Sequence, residues 1–286
     1  MTQNVRDKSV RLTNEDFKFI CDFVYQSTGI VLNDNKREMV YRRLTRIIRE
    51  KKLNSFSDYC QLLRQQGEQE KDYFINAITT NLTSFFREQH HFDYLTNEEL
   101  PKLMATKVME ANGKKRVRIW SSASSTGEEP YSIAITLLEK MHTLMPSWDV
   151  KILATDIDSN VLATGKSGIY EYRRIENISE KLKRNYFHRG CGKNEKNVRV
   201  DKKLSDLITF KQLNLLHEWP MKGPFDIIFC RNVIIYFDKP TQQGLFARYY
   251  DLLAPGGLLM LGHSENLGAF TQHFDNVGRT IFRKPL

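Results

Sequence analysis

The strongest constraint on the fold is an alternation of short apolar runs and amphipathic helical segments in the C-terminal two thirds of the chain. The apolar runs are typical of strands, and the segments between them have helical periodicity. The predicted strands are residues 116–120, 150–155, 208–213, 225–230, 258–261 and a last one near 280–283. This spacing predicts an α/β domain with a doubly wound parallel sheet. No convincing strand precedes Val117, so the N-terminal part is predicted to be all-α, with helices at about 13–27, 57–66 and 70–80 and a basic helix between the first two.

A loop of small residues follows the first predicted strand. Its only glycine is Gly127, and the next helix opens with Glu128 and Glu129. A dinucleotide needs Gly-x-Gly-x-x-Gly to bring its pyrophosphate against a helix N-terminus, and two carboxylates there would repel phosphate. The loop therefore favours a ligand without phosphate that carries a positive amino group or sulfonium. The alternative is that the two acids only stabilise the start of the helix.

The second predicted strand ends in Asp156. Ligands of doubly wound sheets bind at the carboxyl ends of strands near the topological switch, and a carboxylate can accept hydrogen bonds from both hydroxyls of a ribose. Asp156 alone could be a turn residue at a strand end. Together with the loop, it predicts a site for S-adenosylmethionine.

Positive charge is concentrated in the N-terminal part. The chain has 43 Lys+Arg and 34 Asp+Glu, a net charge of +9, and residues 35–52 contain eight basic and two acidic residues, a net +6. On a helix, Arg42, Arg43, Arg46 and Arg49 fall on one arc, opposite the apolar residues at 40, 41, 44, 47 and 48. This arginine face is either simply solvated or a docking surface for an acidic partner, and charge alone does not choose between a protein and a nucleic acid.

Several functional classes are disfavoured by composition. No apolar stretch approaches the roughly 18 residues of a membrane span, and residues 1–8 are polar and charged, unlike a secretory signal. Four scattered cysteines without a C-x-x-C motif predict reduced thiols and a cytoplasmic protein. His90 and His91 are adjacent and would point about 100° apart on a helix, so no metal site is expected.

Five sequence blocks resemble the bacterial chemotaxis receptor methyltransferases, the CheR family. They are TTNLTSFFRE at 79–88, WSSASSTGEEPYS at 120–132, ATDID at 154–158, FCRNVIIYF at 229–237 and GHSEN at 262–266. The resemblance runs from about residue 10 to the C-terminus. It implies a helical N-terminal domain (1–80), a linker with the first helices of the catalytic domain (81–115) and a Rossmann-like methyltransferase domain (116–286), with an inserted β-subdomain at about 168–209.

The resemblance also implies the reaction, which is transfer of the methyl group of S-adenosylmethionine to glutamate side chains of chemoreceptors. The products are methyl esters and S-adenosylhomocysteine, so the chain would be a protein-glutamate O-methyltransferase of the EC 2.1.1 class. Glutamate, with a pKa of about 4.3, is already ionised at neutral pH and needs no general base. Two alternatives remain: a nucleic-acid methyltransferase, although Arg231-Asn232-Val233-Ile234 stands in place of an Asn/Asp-Pro-Pro-aromatic clamp, and a sensor that binds the cofactor without catalysis.

Residue roles follow from the resemblance together with chemistry. Asp156 is expected to bind the ribose hydroxyls, Ala123 to contact the methionine part through its backbone, and Glu129, or else Glu128, to meet the ammonium. Arg87 is expected to hold a carboxylate, either the cofactor's or the incoming glutamate's. The remaining expected cofactor contacts are Asn81, Thr83, Asn214, Leu215, Arg231 and Asn232. Tyr236 is the second candidate catalytic residue and would position the substrate, unless it serves only packing.

The expected partner is the cytoplasmic helical domain of chemoreceptors, whose acidic methylation helices would complement the arginine face. The inserted β-subdomain either adds a strand to a receptor C-terminal peptide or is a purely structural insertion. A monomer without nucleic acid, metal or membrane insertion is expected.

Overall fold

The computed structural model describes residues 10–65 and 67–286 as two compact units. The first unit ends at Thr80, and the second is Asn81–Leu286. Residues 1–8, on which the prediction of no secretory signal rests, lie outside the described residues. So does Gln66, the predicted last residue of the third helix.

The first unit is helical. Its helices are α1 (Asn14–Thr28), α2 (Arg37–Glu50), α3 (Phe56–Gln65) and α4 (Glu68–Ile78). α1 begins with a capping box between Thr13 and Asp16 and ends at Gly29, whose φ of 71° is left-handed. The predicted apolar arc of α2 faces the core, where Leu44, Ile47 and Ile48 are fully buried.

The second unit contains ten strands in two sheets. The strands are β1 (Lys115–Ser121), β2 (Trp148–Asp156), β3 (Ile169–Glu171), β4 (Phe187–Arg189), β5 (Asn197–Val200), β6 (Ile208–Gln212), β7 (Phe225–Cys230), β8 (Leu253–Leu261), β9 (Asp275–Gly278) and β10 (Ile281–Arg283). The larger sheet has the order β6-β2-β1-β7-β8-β10-β9, and β6, β2, β1, β7 and β8 run parallel. The predicted α/β fold is confirmed. Its C-terminal edge, however, is an antiparallel pair, and β9 was not predicted.

Helices and apolar strands together build the core of the second unit. The helices are α5 (His90–Tyr94), α6 (Leu100–Thr106), α7 (Glu128–Met141), α8 (Ser159–Ser167), α9 (Glu180–Tyr186), α10 (Lys202–Ser205) and α11 (Lys239–Leu252). At the centre of the sheet, Ile119 of β1 lies between Ile152 of β2 and Ile227 of β7, and these side chains are essentially inaccessible to solvent. Strands that are covered on both faces must be apolar throughout, which explains the continuous apolar runs of the sequence.

An insertion between α8 and β6 forms the smaller sheet, with the antiparallel order β3-β5-β4. β5 is the central strand of this sheet, which lies within the β-subdomain predicted at about 168–209. The chain enters this sheet at Gly168, which has a φ of 62°. A Cβ on that residue would lie 2.5 Å from Val200 Cγ2, so only glycine fits the turn.

Candidate cofactor and substrate site

The carboxyl ends of β1, β2, β6 and β7 meet at one edge of the large sheet. The loop after β1 is tied to both neighbouring strands: the Ser122 N–H donates to Phe229 O at 2.9 Å, and the Ser124 N–H donates to Thr155 O at 2.8 Å. The sheet order changes direction at β1, because β2 lies on one side and β7 on the other. This edge is therefore the topological switch point at which ligands of such sheets bind.

Asp156 closes this loop from the end of β2. Its Oδ2 accepts the Ser125 N–H at 2.8 Å, and its Oδ1 accepts the Asp158 N–H at 3.0 Å. The side chain is buried, and burial raises the pKa of its carboxyl to about 6, although the backbone hydrogen bonds oppose that shift. Each carboxylate oxygen retains capacity for a further hydrogen bond, so the predicted role toward ribose hydroxyls is compatible with this geometry.

The two acids that open α7 are both engaged within the protein. Glu129 accepts the Ser121 hydroxyl at 2.8 Å and the Arg231 guanidinium at 2.8 Å. Glu128 is fully buried and pairs with Arg174 of the insertion. The two carboxylates are buried at the start of α7, where they would disfavour a phosphate group. The predicted contact of Glu129 with an ammonium would have to share that carboxylate with Arg231.

Arg231, at the end of β7, is the centre of a buried ionic network, and only 2% of its side chain is exposed. Besides Glu129, its guanidinium lies 3.2 Å from Glu88 Oε2 and donates to the carbonyl oxygen of Arg87. The predicted cofactor residue Arg231 thus holds the backbone of the predicted catalytic residue Arg87.

Glu88 was not singled out from the sequence, although it ends the block at 79–88. It accepts hydrogen bonds from Asn232 Nδ2 at 3.2 Å and from His263 Nδ1 at 2.8 Å. Burial alone would raise its pKa, but the hydrogen bond from His263 and the charge of Arg231 outweigh burial and lower the pKa to about 2. Glu88 has a φ of 58° and Phe86 one of 53°, which marks a backbone held by its surroundings.

Glu265 is a second carboxylate whose role was not predicted, although its block at 262–266 was recognised. It accepts the backbone amides of Gly262 at 2.6 Å and of Asn232, Val233 and Ile234 at 2.8 Å each. Burial raises its pKa against these amides. The carboxylate therefore fixes the turn that leads from Asn232, with its φ of 57°, to the half-buried Tyr236.

The other predicted cofactor residues lie in the same unit. Asn81 Nδ2 donates to Asp158 Oδ2 at 2.7 Å, and the Thr83 carbonyl accepts Arg174 at 3.1 Å. Arg87 is half-buried and donates to the carbonyl of Leu82 at 2.7 Å. The structure places three further predicted contacts in loops after β1 and β6: Ala123 and Asn214, which are half-buried, and Leu215, which is buried.

The site fits a phosphate-free adenosyl ligand. It has a carboxylate for a diol in Asp156 and no glycine-rich phosphate loop. The hydroxyl of Ser124 is buried at the switch point and has no hydrogen-bond partner within the described ranges 10–65 and 67–286. An unpaired buried hydroxyl is costly, and a polar ligand atom would satisfy it.

The histidine pair departs from expectation. The rings of His90 and His91 do not point away from each other, since their centroids lie 4.0 Å apart. Glu88, His90 and His91 each offer one potential ligand atom, and these three atoms lie within 4.8 Å of one another. The expected angle of about 100° between neighbouring helical side chains does not apply, because His90 is the first residue of the short helix α5 and only Gln89 separates it from the left-handed Glu88.

The arginine face of α2 in the first unit is not uniform. The side chains of Arg42 and Arg46 are 75% and 74% exposed and pair with Glu38 and Glu50, and Arg49 is also exposed. Arg43 instead donates to the carbonyl oxygens of Ile78 and Thr79 at the end of α4. The exposed arginine surface therefore consists of Arg42, Arg46 and Arg49.

Among the residues that the structure describes, no helix combines the length and the apolarity needed to cross a bilayer.

Comparisons with known proteins agree with this architecture. Residues 15–79 match the all-alpha domain of CheR methyltransferases, and residues 81–283 match their SAM-binding domain. The chain is 45% identical over 273 residues to the chemotaxis protein methyltransferase of Escherichia coli, covering 95% of this chain and 91% of that protein. It is 45% identical to chemotaxis protein methyltransferase 2 of Pseudomonas aeruginosa (94% and 93% covered) and 43% identical to a probable chemotaxis protein methyltransferase of Rhizobium etli (91% and 96% covered). A solved geranyl diphosphate methyltransferase with sinefungin aligns at 12% identity over 61% of this chain and 44% of that one, with a TM-score of 0.33. The chain belongs to the CheR methyltransferase family, with an all-α domain followed by an S-adenosylmethionine-binding domain.

Proposed function

We propose that this protein is a chemotaxis methyltransferase that transfers the methyl group of S-adenosylmethionine to glutamate side chains of chemoreceptors, forming methyl esters for sensory adaptation. The observation that carries the proposal is the switch-point site, where Asp156 orders the loop after β1 and two buried acids open α7. The similarity to chemotaxis protein methyltransferases over more than 90% of both chains supports it.

The chemistry of the site supports a proposed contact for each part of the cofactor. Asp156 would hold its ribose hydroxyls, the loop after β1 at Ala123 its methionine part, and Asn214 and Leu215 its adenine. Asn81, Thr83 and Asn232 would complete the binding site. When bound, S-adenosylmethionine supplies a methyl group on a cationic sulfonium.

The residues of the chain then need only bind, orient and exclude water. A glutamate carboxylate is ionised at neutral pH, so no side chain has to remove a proton. Arg87 would hold a carboxylate at the site, while the bond from Arg231 to its carbonyl oxygen fixes its backbone. Tyr236, on the turn clamped by Glu265, would position the incoming side chain. Alignment of this kind can supply a large part of a rate enhancement.

Receptor recognition would use both units. The exposed arginine surface of α2 (Arg42, Arg46 and Arg49) suits the acidic methylation helices of a receptor's cytoplasmic domain, because one guanidinium group can donate two hydrogen bonds to one carboxylate. β3 and β4 are the outer strands of the inserted sheet, and either can accept a receptor C-terminal peptide as an added strand. We propose that the protein acts on these partners as a cytoplasmic monomer.

The experiment is incubation with methyl-labelled S-adenosylmethionine and receptor-containing membranes, followed by mild alkali. Volatile label released as methanol marks a carboxyl ester. We expect Asp156→Ala and Arg87→Ala to abolish this signal and the exposed control Arg279→Ala to retain it.

Each alternative function has its own outcome in the same assay. Alkali-stable label on nucleic acid, with none on receptors, would replace the proposal with a nucleic-acid methyltransferase. Tight binding of the cofactor without transfer to any receptor would indicate a sensor.

A further inference from the structure

Two histidine nitrogens lie unpaired beside the Arg231 network. His90 Nε2 and His91 Nδ1 are buried, and neither has a hydrogen-bond partner in the part of the chain that the structure describes. The side chain of His91 is completely inaccessible to solvent. Buried polar atoms without partners are uncommon in native proteins and call for a water, an ion or a ligand.

The third member of the cluster is Glu88. One potential ligand atom from each of Glu88, His90 and His91 lies within 4.8 Å of the other two, and His91 Nδ1 is 3.6 Å from Glu88 Oε2. Bonds of about 2.1 Å at tetrahedral angles place two ligand atoms of one ion roughly 3.4 Å apart. Small rotations of the side chains would therefore close the cluster around one ion.

Thr280 orients His91 from outside the cluster. Its hydroxyl lies 3.1 Å from His91 Nε2, which leaves Nδ1 as the nitrogen on the Glu88 side. Metal-binding histidines use such an outer hydrogen bond to fix their ring and tautomer. Thr280 has a φ of 53°, which is strained for a β-branched residue and indicates that its position is held by the surrounding structure.

We propose that Glu88, His90 and His91 form a binding site for a divalent transition-metal ion of the Zn²⁺ type, and that its occupancy inhibits methyl transfer. Two imidazole nitrogens with one carboxylate favour Zn²⁺, Co²⁺, Ni²⁺ or Cu²⁺ over Mg²⁺ and Ca²⁺, which prefer oxygen ligands. Water or His263, whose Nδ1 already contacts Glu88 at 2.8 Å, would supply the fourth ligand.

We expect inhibition because the metal ion and the Arg231 guanidinium would compete for the carboxylate of Glu88. Glu88 Oε2, the oxygen nearest His91, is also the one that lies 3.2 Å from the Arg231 guanidinium. An ion on Glu88 would displace Arg231 and loosen Asn232, which the other oxygen of Glu88 holds at 3.2 Å. The charge of Arg231 in turn weakens ion binding, so we expect a Kd in the micromolar range.

Metal binding is tested directly on the full chain, without cofactor or receptor. A Cys191→Ser background removes the exposed thiol, which would itself bind metal. We expect Co²⁺ to give a visible absorption spectrum, and Zn²⁺ to give calorimetric binding that His90→Gln weakens at least about tenfold. His142→Gln, which removes an exposed histidine elsewhere, is the matched control and should leave both signals unchanged.

The metal site can be refuted independently of the proposed function, because metal binding is measured without methyl transfer. Equal Zn²⁺ affinity in the background chain and in His90→Gln, with the fold of the variant verified by circular dichroism, would overturn the site. So would the absence of any Co²⁺ spectrum, which would assign the orphaned nitrogens to a buried water. In the methylation assay, Zn²⁺ should inhibit the background chain reversibly and spare His90→Gln. Binding without inhibition would overturn the inhibitory role.

Discussion

Three carboxylates with little solvent exposure lie at the candidate site, and their surroundings do not all shift the pKa in the same direction. Burial dominates at Asp156 and raises its pKa to about 6, whereas His263 and Arg231 overcome burial at Glu88 and lower its pKa to about 2. Glu265 is surrounded by backbone amides, and its pKa is still raised by burial. The same functional group can therefore have a pKa of about 6 at the end of β2 and of about 2 at Glu88.

The raised pKa of Asp156 predicts that cofactor affinity depends on pH. Below about pH 6 the protonated carboxyl accepts fewer hydrogen bonds from a ribose, so the Kd for S-adenosylhomocysteine should rise by up to about tenfold per pH unit as pH falls. The raised pKa of Asp156 also makes the free energy of unfolding of the cofactor-free protein depend on pH. The stabilising contribution of protonated Asp156 is fully present below the unfolded pKa of about 3.9 and is lost as pH rises through about 6.

Calorimetric titrations with S-adenosylhomocysteine between pH 5 and 8 measure how its Kd depends on pH. Asp156→Asn should bind weakly, without the steep dependence below about pH 6. An equally steep pH profile in Asp156→Asn would assign the titration to another group.

The pair of Arg231 and Glu129 predicts strong energetic coupling. Arg231→Met leaves the largely enclosed carboxylates of Glu88 and Glu129 without the Arg231 cation, and we expect it to lower the free energy of unfolding by about 3–5 kcal/mol. Glu129→Gln should lower the free energy of unfolding by less, because Gln can still accept the Ser121 hydroxyl and Arg231 retains its ion pair with Glu88. Urea unfolding of both variants and of the double variant measures the coupling, expected at about 1–3 kcal/mol. Strictly additive losses would mean that the two charges do not stabilise each other.

At the scale of elements, local signals identified most of the secondary structure. β7 coincides with the strand predicted at 225–230, and the capping box at Thr13 and Gly29 delimit α1 as predicted. β9, with the sequence Asp-Asn-Val-Gly, has no strand pattern of its own and is a strand only through its pairing with β10. Such an element cannot be inferred from local periodicity.

The position of Arg43 within α2 predicts a difference between neighbouring arginines. Arg43→Ala removes charged hydrogen bonds to the carbonyls that end α4, and should lower the free energy of unfolding by about 1.5–3 kcal/mol. Arg42→Ala changes an exposed side chain with one surface ion pair, and should change stability by less than about 0.5 kcal/mol while raising KM for the receptor. Denaturant unfolding and receptor methylation of the two variants test this contrast. Equal destabilisation would contradict the structural role of Arg43.

At the scale of the whole molecule, local sequence signals located the strand ends at which Asp156 and the loop after β1 lie, but they did not indicate the interactions among the residues of the candidate site. The loop after β1 and Asp156 were recognisable because they adjoin apolar strands. The hydrogen bonds of Glu265 to Ile234, of Glu88 to His263 and of Arg174 to Glu128 join residues 31–175 positions apart, and a single sequence carries no signal of such pairing. Four non-glycine residues with positive φ (Phe86, Glu88, Ser125 and Asn232) lie in the segments that form the site, where tertiary contacts rather than local preference decide the backbone.

The uneven charge of the whole chain predicts that receptor methylation is sensitive to salt. Of the net charge of +9, +6 lies between residues 35 and 52, and the exposed arginine surface is part of that stretch. Raising ionic strength from 0.1 to 1 M shortens the screening length from about 10 Å to about 3 Å. We expect kcat/KM for receptor membranes to fall at least about tenfold over this range, because steering of an acidic partner is lost.

A triple variant, Arg42→Ala, Arg46→Ala and Arg49→Ala, should have a lower kcat/KM at 0.1 M salt, and its kcat/KM should depend less steeply on salt. The matched control removes the same charge from exposed lysines of the other unit, with Lys102→Ala, Lys166→Ala and Lys222→Ala, and should keep the steep dependence. The affinity for S-adenosylhomocysteine should be unchanged in both triple variants, since none of the substituted residues belongs to the switch-point site. If the two variants showed the same salt dependence, net charge rather than the arginine surface would govern encounter with the receptor, and α2 would lose its proposed role in docking.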